Sequence, residues 1–473
     1  MCERKNVRQF GAAENPKRDF IWNTAGSLTY ALSSMVLAFF VMRIMGAEDG
    51  GIFGFGFSTV GQQLFIVAYF GIRPFQITDV KRTYSFRTYF CFRCLTAGLA
   101  AVCGGIYMFY SFAAGSYSAY KAAAIFLLVL YKVIDGFADV YESECQRDHA
   151  LYAGGMALCF RTLLAMTAFM AGVLLFQNLI YAAAAGLLGQ LIGLLFFNIR
   201  FYRRIVKTSA VLGGAVHANA KTTANANAKA NANAKANANA QENTSANANG
   251  MAALFRASIL LFLSVFLDFF VFSAAKYAVD RCMTDADNGI FNLLFMPTSI
   301  IYLVANFVIK PFMTQLAAAF EEKNAKTFRS TRNKLQAVIL GLTALCLIGV
   351  LLLGKPVLWV LEQILGAQYH GLLTMHIAAF FLIILGGGIY ALANLYYYIL
   401  VILRRQTAIF GIYLLASVLA ALFAEPLVRL YGIGGAALAY LLLMFCLLCG
   451  FQAVGRGSLT RAFEQPNAGT ATK

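Results

Sequence analysis

The chain has 473 residues, of which 60% are hydrophobic and only 12% are charged, and its mean hydropathy is +0.68. Soluble domains carry about 25% charged residues, so this composition excludes an ordinary soluble enzyme. The 38 Lys and Arg residues outnumber the 21 Asp and Glu residues and give a net charge of +17. In a membrane protein such an excess marks cytoplasmic loops, so we expect no nucleic-acid partner.

Apolar windows, taken in chain order, predict an all-α integral membrane protein with twelve transmembrane helices, each of about 20 residues or more. We refer to these predicted helices as spans 1 to 12. They lie near 20–42, 51–72, 90–112, 120–141, 151–175, 178–200, 254–279, 289–316, 336–354, 373–402, 407–425 and 431–452.

The loops between the spans alternate in charge. Basic residues cluster before span 1 and in the loops after spans 2, 6, 8 and 10, whereas the loops after spans 1, 5 and 7 are poor in Lys and Arg. The positive-inside rule therefore places both termini in the cytoplasm of a bacterial cell, with the chain in its plasma membrane. The predicted domains are a cytoplasmic N-terminus (1–19), an N-lobe (20–200), a cytoplasmic loop (201–250), a C-lobe (251–455) and a cytoplasmic tail (456–473).

A tract of alternating Ala and Asn separates the two sets of six spans. It runs from His217 to Asn249 and contains no aromatic residue. Low hydrophobicity and near-repeats cannot build a packed core, so the tract is predicted to be a disordered linker.

The two halves of the chain share a motif. Gly51-Ile52-Phe53 opens span 2 and Gly289-Ile290-Phe291 opens span 8, while Arg73-Pro74-Phe75 and Lys310-Pro311-Phe312 close them, with each proline expected to terminate its helix. Six spans separate the equivalents, so both halves have the same orientation. This indicates two six-helix lobes related by a parallel pseudo-two-fold axis along the membrane normal, as in transporters.

Polar residues on one face of these helices are the predicted lining of a substrate path between the lobes, because polar groups inside spans usually avoid lipid. For a single Ser or Asn, helix–helix packing is the alternative. The candidates are Asn23, Ser27 and Ser34 on span 1, Gln62 on span 2, and Asn292, Tyr302 and Asn306 on span 8.

Two basic residues inside spans are the stronger substrate-binding candidates. Arg161 lies about ten residues into span 5, where a guanidinium needs an anion beside it. Either Asp268 or an acidic residue of span 4 supplies that anion permanently, or a substrate phosphate supplies it transiently. Lys276 lies toward the outer end of span 7, and snorkelling to the interface is the alternative there, as it is for Arg43 on span 1.

Acidic residues supply two further hypotheses. Asp135, Asp139 and Glu142 form a stripe at the inner end of span 4, which pairs as an inner gate with basic residues such as Arg73 and Arg147, or else binds a cation. On span 7, Asp268 is the candidate for coupling to protons or sodium. Its alternative role is that of a fixed partner for Lys276.

Enzyme signatures are missing from the sequence. There is no phosphate-binding P-loop, no zinc-protease motif and no nucleophile elbow, so no catalytic residues are assigned. Most of the ten cysteines lie in or beside apolar runs and predict no metal site. No cofactor is expected apart from the proton or sodium coupling already described.

The segment from Asn23 to Val60, NTAGSLTYALSSMVLAFFVMRIMGAEDGGIFGFGFSTV, resembles the opening of Wzx-type polysaccharide flippases. These are the oligosaccharide flippase family of the multidrug/oligosaccharidyl-lipid/polysaccharide (MOP) exporter superfamily. The twelve-span pattern, the repeated Gly-Ile-Phe motif and the Tyr-rich span 10 extend the likeness over most of the chain.

The resemblance implies a MATE-like fold that moves an undecaprenyl-pyrophosphate-linked oligosaccharide across the membrane by alternating access. It implies a cationic cavity, for which Arg161 and Lys276 are the candidates, and partners that include membrane lipids, a polysaccharide polymerase and glycosyltransferases. A MATE-like drug or cation antiporter predicts an acidic, aromatic cavity instead. A membrane scaffold of polysaccharide assembly predicts that all buried charges are permanently paired, and an enzyme of that assembly is a further alternative.

Overall fold

The computed structural model describes residues 16–79, 82–205 and 232–464, without the side chains of 232–249 and of most residues between 299 and 311. All regular secondary structure in these ranges is helical. Nine helical segments of the described residues are long and apolar enough to cross a membrane, which makes this a multi-pass membrane protein.

The helices, numbered here in chain order, follow the predicted spans closely. They are α1 (Pro16–Met45), α2 (Ala47–Phe55), α3 (Gly61–Tyr69), α4 (Arg73–Thr78), α5 (Phe86–Ala113), α6 (Ala119–Arg147), α7 (Leu151–Phe176), α8 (Leu179–Gly193), α9 (Ala232–Cys282), α10 (Asp285–Glu321), α11 (Ala325–Leu365), α12 (Ile377–Ile402) and α13 (Gln406–Glu464). Spans 11 and 12 both lie in α13, which is interrupted at Gly432, where φ is 58°.

Short polar side chains begin several helices. Ser85 accepts a hydrogen bond from the backbone of Thr88 at the start of α5, and Ser118 accepts one from Lys121 at the start of α6. Thr284 forms a reciprocal capping box with Asp287 at the start of α10. Each cap satisfies backbone N–H groups that the first helical turn leaves without partners.

Two π-helical turns interrupt otherwise α-helical spans. Gly56–Val60 joins α2 to α3, and Leu194–Ile199 follows α8. Such turns insert an extra residue and shift the face that the following side chains occupy. In the second turn the shift accompanies a buried amide, Asn198, which contacts a carboxylate of α6.

The chain divides into two compact units. Unit 1 comprises residues 1–37 and 64–259, and unit 2 comprises 38–63 and 260–473. These boundaries differ from the predicted lobes, because the C-terminal part of α1, all of α2 and the first residues of α3 belong to unit 2. The division into an N-lobe and a C-lobe stays a prediction.

Small residues let the helices of unit 1 approach closely. A Cβ on Gly155 of α7 would lie 2.5 Å from the carbonyl oxygen of Trp22 in α1, and one on Gly189 of α8 would lie 2.8 Å from the Cα of Ala165 in α7. In membranes such small-residue contacts supply much of the packing between helices.

In unit 2, two hydrogen bonds tie the end of α1 to the loop after α11. The Arg43 guanidinium donates to the carbonyl of Leu365 at 2.8 Å, and the Tyr369 hydroxyl donates to the carbonyl of Met42 at 2.7 Å. The guanidinium of Arg43 thus satisfies a carbonyl at the C-terminal end of a helix. Snorkelling of Arg43 to the membrane interface, the role considered from the sequence, does not account for this contact.

The repeated glycines of the duplicated motif pack against each other inside unit 2. A Cβ on Gly51 would lie 1.7 Å from the carbonyl oxygen of Asp285 and 3.0 Å from the backbone nitrogen of Gly289. A Cβ on Gly289 would lie 2.7 Å from the carbonyl oxygen of Ala47. Neither position has room for a side chain, so α2 and α10 meet backbone to backbone.

The closing prolines of the duplicated motif do not end their helices. The prediction that each proline terminates its helix is therefore wrong. The first helix ends at Tyr69, followed by Phe70 and Gly71 with positive φ, and Pro74 lies in the first turn of α4. Proline is suited to a first turn because its missing N–H is not needed there. The second proline, Pro311, lies within the continuous helix α10.

The Ala-Asn tract also differs in part from the expected linker. Residues 206–231 lie outside the described residues, but α9 begins at Ala232, within the tract. Alanine has the highest intrinsic helix propensity, which favours helix where the tract adjoins an apolar span.

The contact between the two glycines makes a testable prediction. Gly51→Ala should lower the thermal unfolding midpoint of the purified protein, because overpacking at a closed backbone contact costs about 1–3 kcal/mol. Gly98→Ala on α5 is the matched control, since a Cβ there meets nothing within 4 Å. Equal midpoints for the two variants would contradict the close approach of α2 and α10.

Candidate functional site

The acidic stripe of α6 lies in the interior of unit 1. Asp135, Asp139 and Glu142 are each at most 5% exposed. Their i, i+4, i+7 spacing places them on one helical face, and that face is directed at basic and amide side chains of neighbouring helices. Burial of three carboxylates in an apolar helix is costly unless each is paired.

Arg161 supplies the pairing for two of these carboxylates. It lies on α7 and is 1% exposed, and its Nη2 lies 3.2 Å from Glu142 Oε1 and 3.4 Å from Asp135 Oδ1. Of the alternatives left open by the sequence, the structure shows Arg161 paired with acidic residues of span 4. Both contacts are made by Nη2, and the substrate-binding role of Arg161 stays a prediction.

Amide side chains of the helix that follows α7 complete this cluster. Gln190 Nε2 donates to Asp135 Oδ1 at 2.9 Å, and Asn198 Nδ2 donates to Glu142 Oε1 at 3.0 Å. The sequence analysis did not select either residue. The sequence contains a pattern that could have identified them, since two amides eight residues apart fall near one face of an otherwise apolar span.

Asp139 is held by two arginines from other elements of unit 1. Arg73 at the start of α4 and Arg93 on α5 each form an ion pair with one of its oxygens. Arg93 is fully buried and also donates to the backbone carbonyl of Ala68 at 3.3 Å. The structure therefore brings together one predicted gate pair, Arg73 and Asp139. The partners of Asp139 named here all belong to unit 1.

Arg147, the other predicted gate residue, pairs elsewhere. It contacts Glu144 on its own helix, and its Nη1 lies 3.7 Å from Asp79 Oδ2 in the segment after α4. Partial burial acts to raise the pKa of Asp79, but backbone N–H groups of Tyr84 and Thr83 donate to it and hold its pKa below the ordinary value. This carboxylate therefore stays ionised and anchors the connection between α4 and α5.

Unit 2 places one carboxylate among aromatic rings. Asp268 on α9 is half-buried, and the Tyr390 hydroxyl donates to its two oxygens at 3.0 and 3.1 Å. The ring of Phe272 lies 5.1 Å from that of Tyr390 and 5.7 Å from that of Tyr440. Asp268 is thus hydrogen-bonded but forms no ion pair with any described residue.

Lys276 lies on the same helix as Asp268 but does not pair with it. Eight residues separate them, about 12 Å along the axis. Lys276 is 7% exposed, and its Nζ lies 4.4 Å from the centre of the Phe295 ring. Within the described ranges no carboxylate oxygen lies within 4.0 Å of it. The predicted alternative of a fixed Asp268–Lys276 pair is therefore wrong.

The remaining candidates for the path have mixed environments. Asn292 is buried and donates to the backbone carbonyl and the side-chain oxygen of Asn288, one turn earlier on the same helix, both at 2.9 Å. Gln63, rather than the predicted Gln62, donates to the carbonyl of Phe266 at 2.9 Å. Asn23, Ser34 and Gln62 are half-buried and Ser27 is exposed, whereas the side chains of Tyr302 and Asn306 lie outside the described residues.

Solved structures with the same fold are membrane transporters. One, described as the inward-facing conformation of a multidrug resistance MATE family transporter of the MOP superfamily, has a TM-score of 0.65 and 12% identity and covers 91% of this chain and 95% of its own. The MATE transporter VcmN of Vibrio cholerae has a TM-score of 0.52 and 12% identity, covering 95% and 98%. A eukaryotic MATE transporter has a TM-score of 0.52 and 11% identity, covering 94% of each chain.

At these identities the likeness shows the fold alone. The predicted fold class, an all-α membrane protein with the MATE-like fold of the MOP superfamily, is confirmed over more than nine-tenths of the chain. No protein-family model and no curated protein matches the chain. The narrower likeness to Wzx-type flippases remains a sequence-based prediction.

The paired state of Arg161 makes a second prediction. Arg161→Met should lower the unfolding midpoint strongly, because removing one partner of a buried ion pair costs about 3–5 kcal/mol. The exposed ion pair of Arg82 with Asp148 provides the control, and Arg82→Met should change the midpoint little.

A compensated variant separates structure from binding. The triple variant R161M/D135N/E142Q removes the charges together and should regain most of the lost stability. Transport by a stable triple variant would support the structural role, whereas a stable triple variant without any transport would contradict a purely structural role for this cluster.

Proposed function

We propose that the protein translocates a polyprenyl-pyrophosphate-linked oligosaccharide across the plasma membrane by alternating access. The observation that carries this proposal is Lys276, a buried ammonium group with no carboxylate within 4.0 Å in the described part of the chain. A buried cation without a fixed partner is expensive, so a site of this kind favours an anionic cargo that supplies the missing charge.

The charges of unit 1 are consistent with an anionic cargo. Asp135, Asp139 and Glu142 are each held by arginines, so this acidic stripe offers no free carboxylate to an organic cation. The phosphate groups of a lipid-linked sugar cannot cross about 30 Å of hydrocarbon unaided, because unpaired charges there cost many kcal/mol. A desolvated ammonium offsets part of that cost.

The proposal assigns coupling to Asp268. Its carboxylate accepts hydrogen bonds from Tyr390 and is not neutralised by a described basic residue. A half-buried carboxylate in that setting is suited to binding a proton or a sodium ion in one phase of a transport cycle. The resemblance of Asn23 to Val60 to Wzx-type flippases supports the same cargo class.

Reconstitution tests the cargo directly. The full-length protein is placed in vesicles with a fluorescent polyprenyl-pyrophosphate sugar, and translocation is scored by accessibility of the label at each face. Lys276→Gln should slow translocation at least about tenfold, which corresponds to roughly 1.4 kcal/mol of lost stabilisation, whereas Lys276→Arg should retain most of the rate.

Lys355→Gln is the matched control for Lys276→Gln, because Lys355 is an exposed lysine within α11. This variant should translocate at the wild-type rate. Wild-type rates for Lys276→Gln, or no translocation by the wild-type protein, would contradict the proposed cargo.

A second candidate, a cation antiporter, is favoured by the surroundings of Asp268. A carboxylate among the rings of Phe272, Tyr390 and Tyr440 is the acidic, aromatic environment that an organic cation prefers. One of the structures with this fold is likewise described as a multidrug resistance MATE family transporter.

The antiporter hypothesis makes its own prediction with the same vesicles. Efflux of a fluorescent organic cation should follow an imposed proton or sodium gradient, and Asp268→Asn should abolish it. In a flippase, by contrast, Asp268→Asn should change only the ion dependence of sugar translocation. Gradient-driven efflux of the cation with no sugar translocation would replace the flippase assignment by the antiporter.

A further inference from the structure

A groove at one end of unit 1 combines arginines with aromatic rings. Its first part is a cavity of about 300 Å³, lined by Phe86, Phe90, Tyr141 and Tyr202 and by Arg87 and Arg203. Its second part is a cavity of about 570 Å³ lined by Arg200, Arg203 and Arg204 with apolar residues of the same helix. The two parts share Ile199 and Arg203, so they form one continuous surface, the basic groove.

The floor of the basic groove is built by rings from three helices. The rings of Phe86 on α5 and Tyr202, beyond α8, stack with centroids 4.5 Å apart and an interplanar angle of 26°. Tyr141 on α6 lies 5.5 Å from Tyr202 and 5.7 Å from Phe86. Mutual contact of this kind holds the rings in fixed positions, so the floor is preformed.

The rim of the basic groove is positively charged without compensation. Arg87, Arg200 and Arg203 are exposed, and over the described ranges none of them has a carboxylate within 4.0 Å. Arg82, in contrast, is exposed and paired with Asp148. Guanidinium groups from two helices that converge on one groove repel each other unless an anion lies between them.

Apolar residues continue from the charged rim toward the middle of the helix. Leu195 and Phe196 are 58% and 57% exposed and line the second part of the groove. They belong to the π-helical turn Leu194–Ile199, where Asn198 is directed to the buried Glu142. The groove thus presents cations at the helix end and apolar surface beside them, the order in which a membrane lipid presents its phosphate and its chains.

We propose that the basic groove binds the phosphate headgroup of an anionic membrane phospholipid, with the lipid chains along Leu195 and Phe196. This site lies within unit 1 and uses none of the residues assigned to cargo or coupling. Planar guanidinium groups bind phosphate through paired hydrogen bonds, and aromatic rings such as those of Phe86 and Tyr202 are favoured at the level of lipid headgroups. The proposal is independent of which cargo the protein transports.

Lipid titration of the full-length protein tests this site. Native mass spectrometry in a neutral detergent counts bound phosphatidylglycerol, with phosphatidylcholine as the zwitterionic comparison and inorganic phosphate as the free anion. The wild-type protein should bind phosphatidylglycerol about tenfold or more tightly than phosphatidylcholine. The variant R87A/R200A/R203A should lose at least that factor, since each basic residue near an anionic headgroup contributes measurably to affinity.

The matched control is K326A/R329A/K334A, which removes three exposed positive charges from α11. It should bind phosphatidylglycerol within about twofold of the wild type, and unfolding midpoints of both triple variants should show that each is folded. Equal losses in the two variants would indicate unspecific attraction and overturn the site. Inorganic phosphate binding as tightly as phosphatidylglycerol would overturn the lipid assignment.

Discussion

A guanidinium ten residues inside an apolar helix requires carboxylates beside it, and unit 1 is arranged around that requirement. Arg161 on α7 lies between Asp135 and Glu142 of α6, and two amides after α7 donate to the same two carboxylate oxygens that Arg161 contacts. Between these two carboxylates on the stripe, Asp139 forms ion pairs with arginines from α4 and α5. Four neighbouring elements are thereby connected through one acidic face of α6. Between membrane helices, apolar contacts alone do not specify how far one helix is shifted along another, whereas these ion pairs do.

Unit 2 is organised differently. Two of its ionisable groups on α9, Asp268 and Lys276, are eight residues apart and are not paired with each other. Aromatic rings and a tyrosine hydroxyl surround them in place of counter-charges. The buried carboxylates of the acidic stripe in unit 1 are thus paired with opposite charges, whereas Asp268 and Lys276 of unit 2 are not paired with any described residue of opposite charge. This contrast argues against a scaffold, for which all buried charges would be permanently paired.

Glycine has a comparable organising role where the two copies of the repeated motif meet. The backbones of α2 and α10 approach at Gly51 and Gly289 so closely that neither position admits a Cβ. Because the end of α1 and all of α2 pack within unit 2, the chain passes between units in the middle of continuous helices.

The fold class and the approximate helices follow from the sequence, because apolar windows of about 20 residues and the charge of the loops are local properties. The sequence also indicates Asp135, Asp139, Glu142, Arg161 and Lys276 as charges within spans, although for Lys276 it left snorkelling to the interface as the alternative. The tertiary structure alone decided which of them are paired. A partner such as Asn198 depends on a π-helical turn and on packing between helices distant in sequence. The same holds for the domain boundary at 37/38 and for the role of Pro74 as the start of a helix, because contacts between distant segments set both.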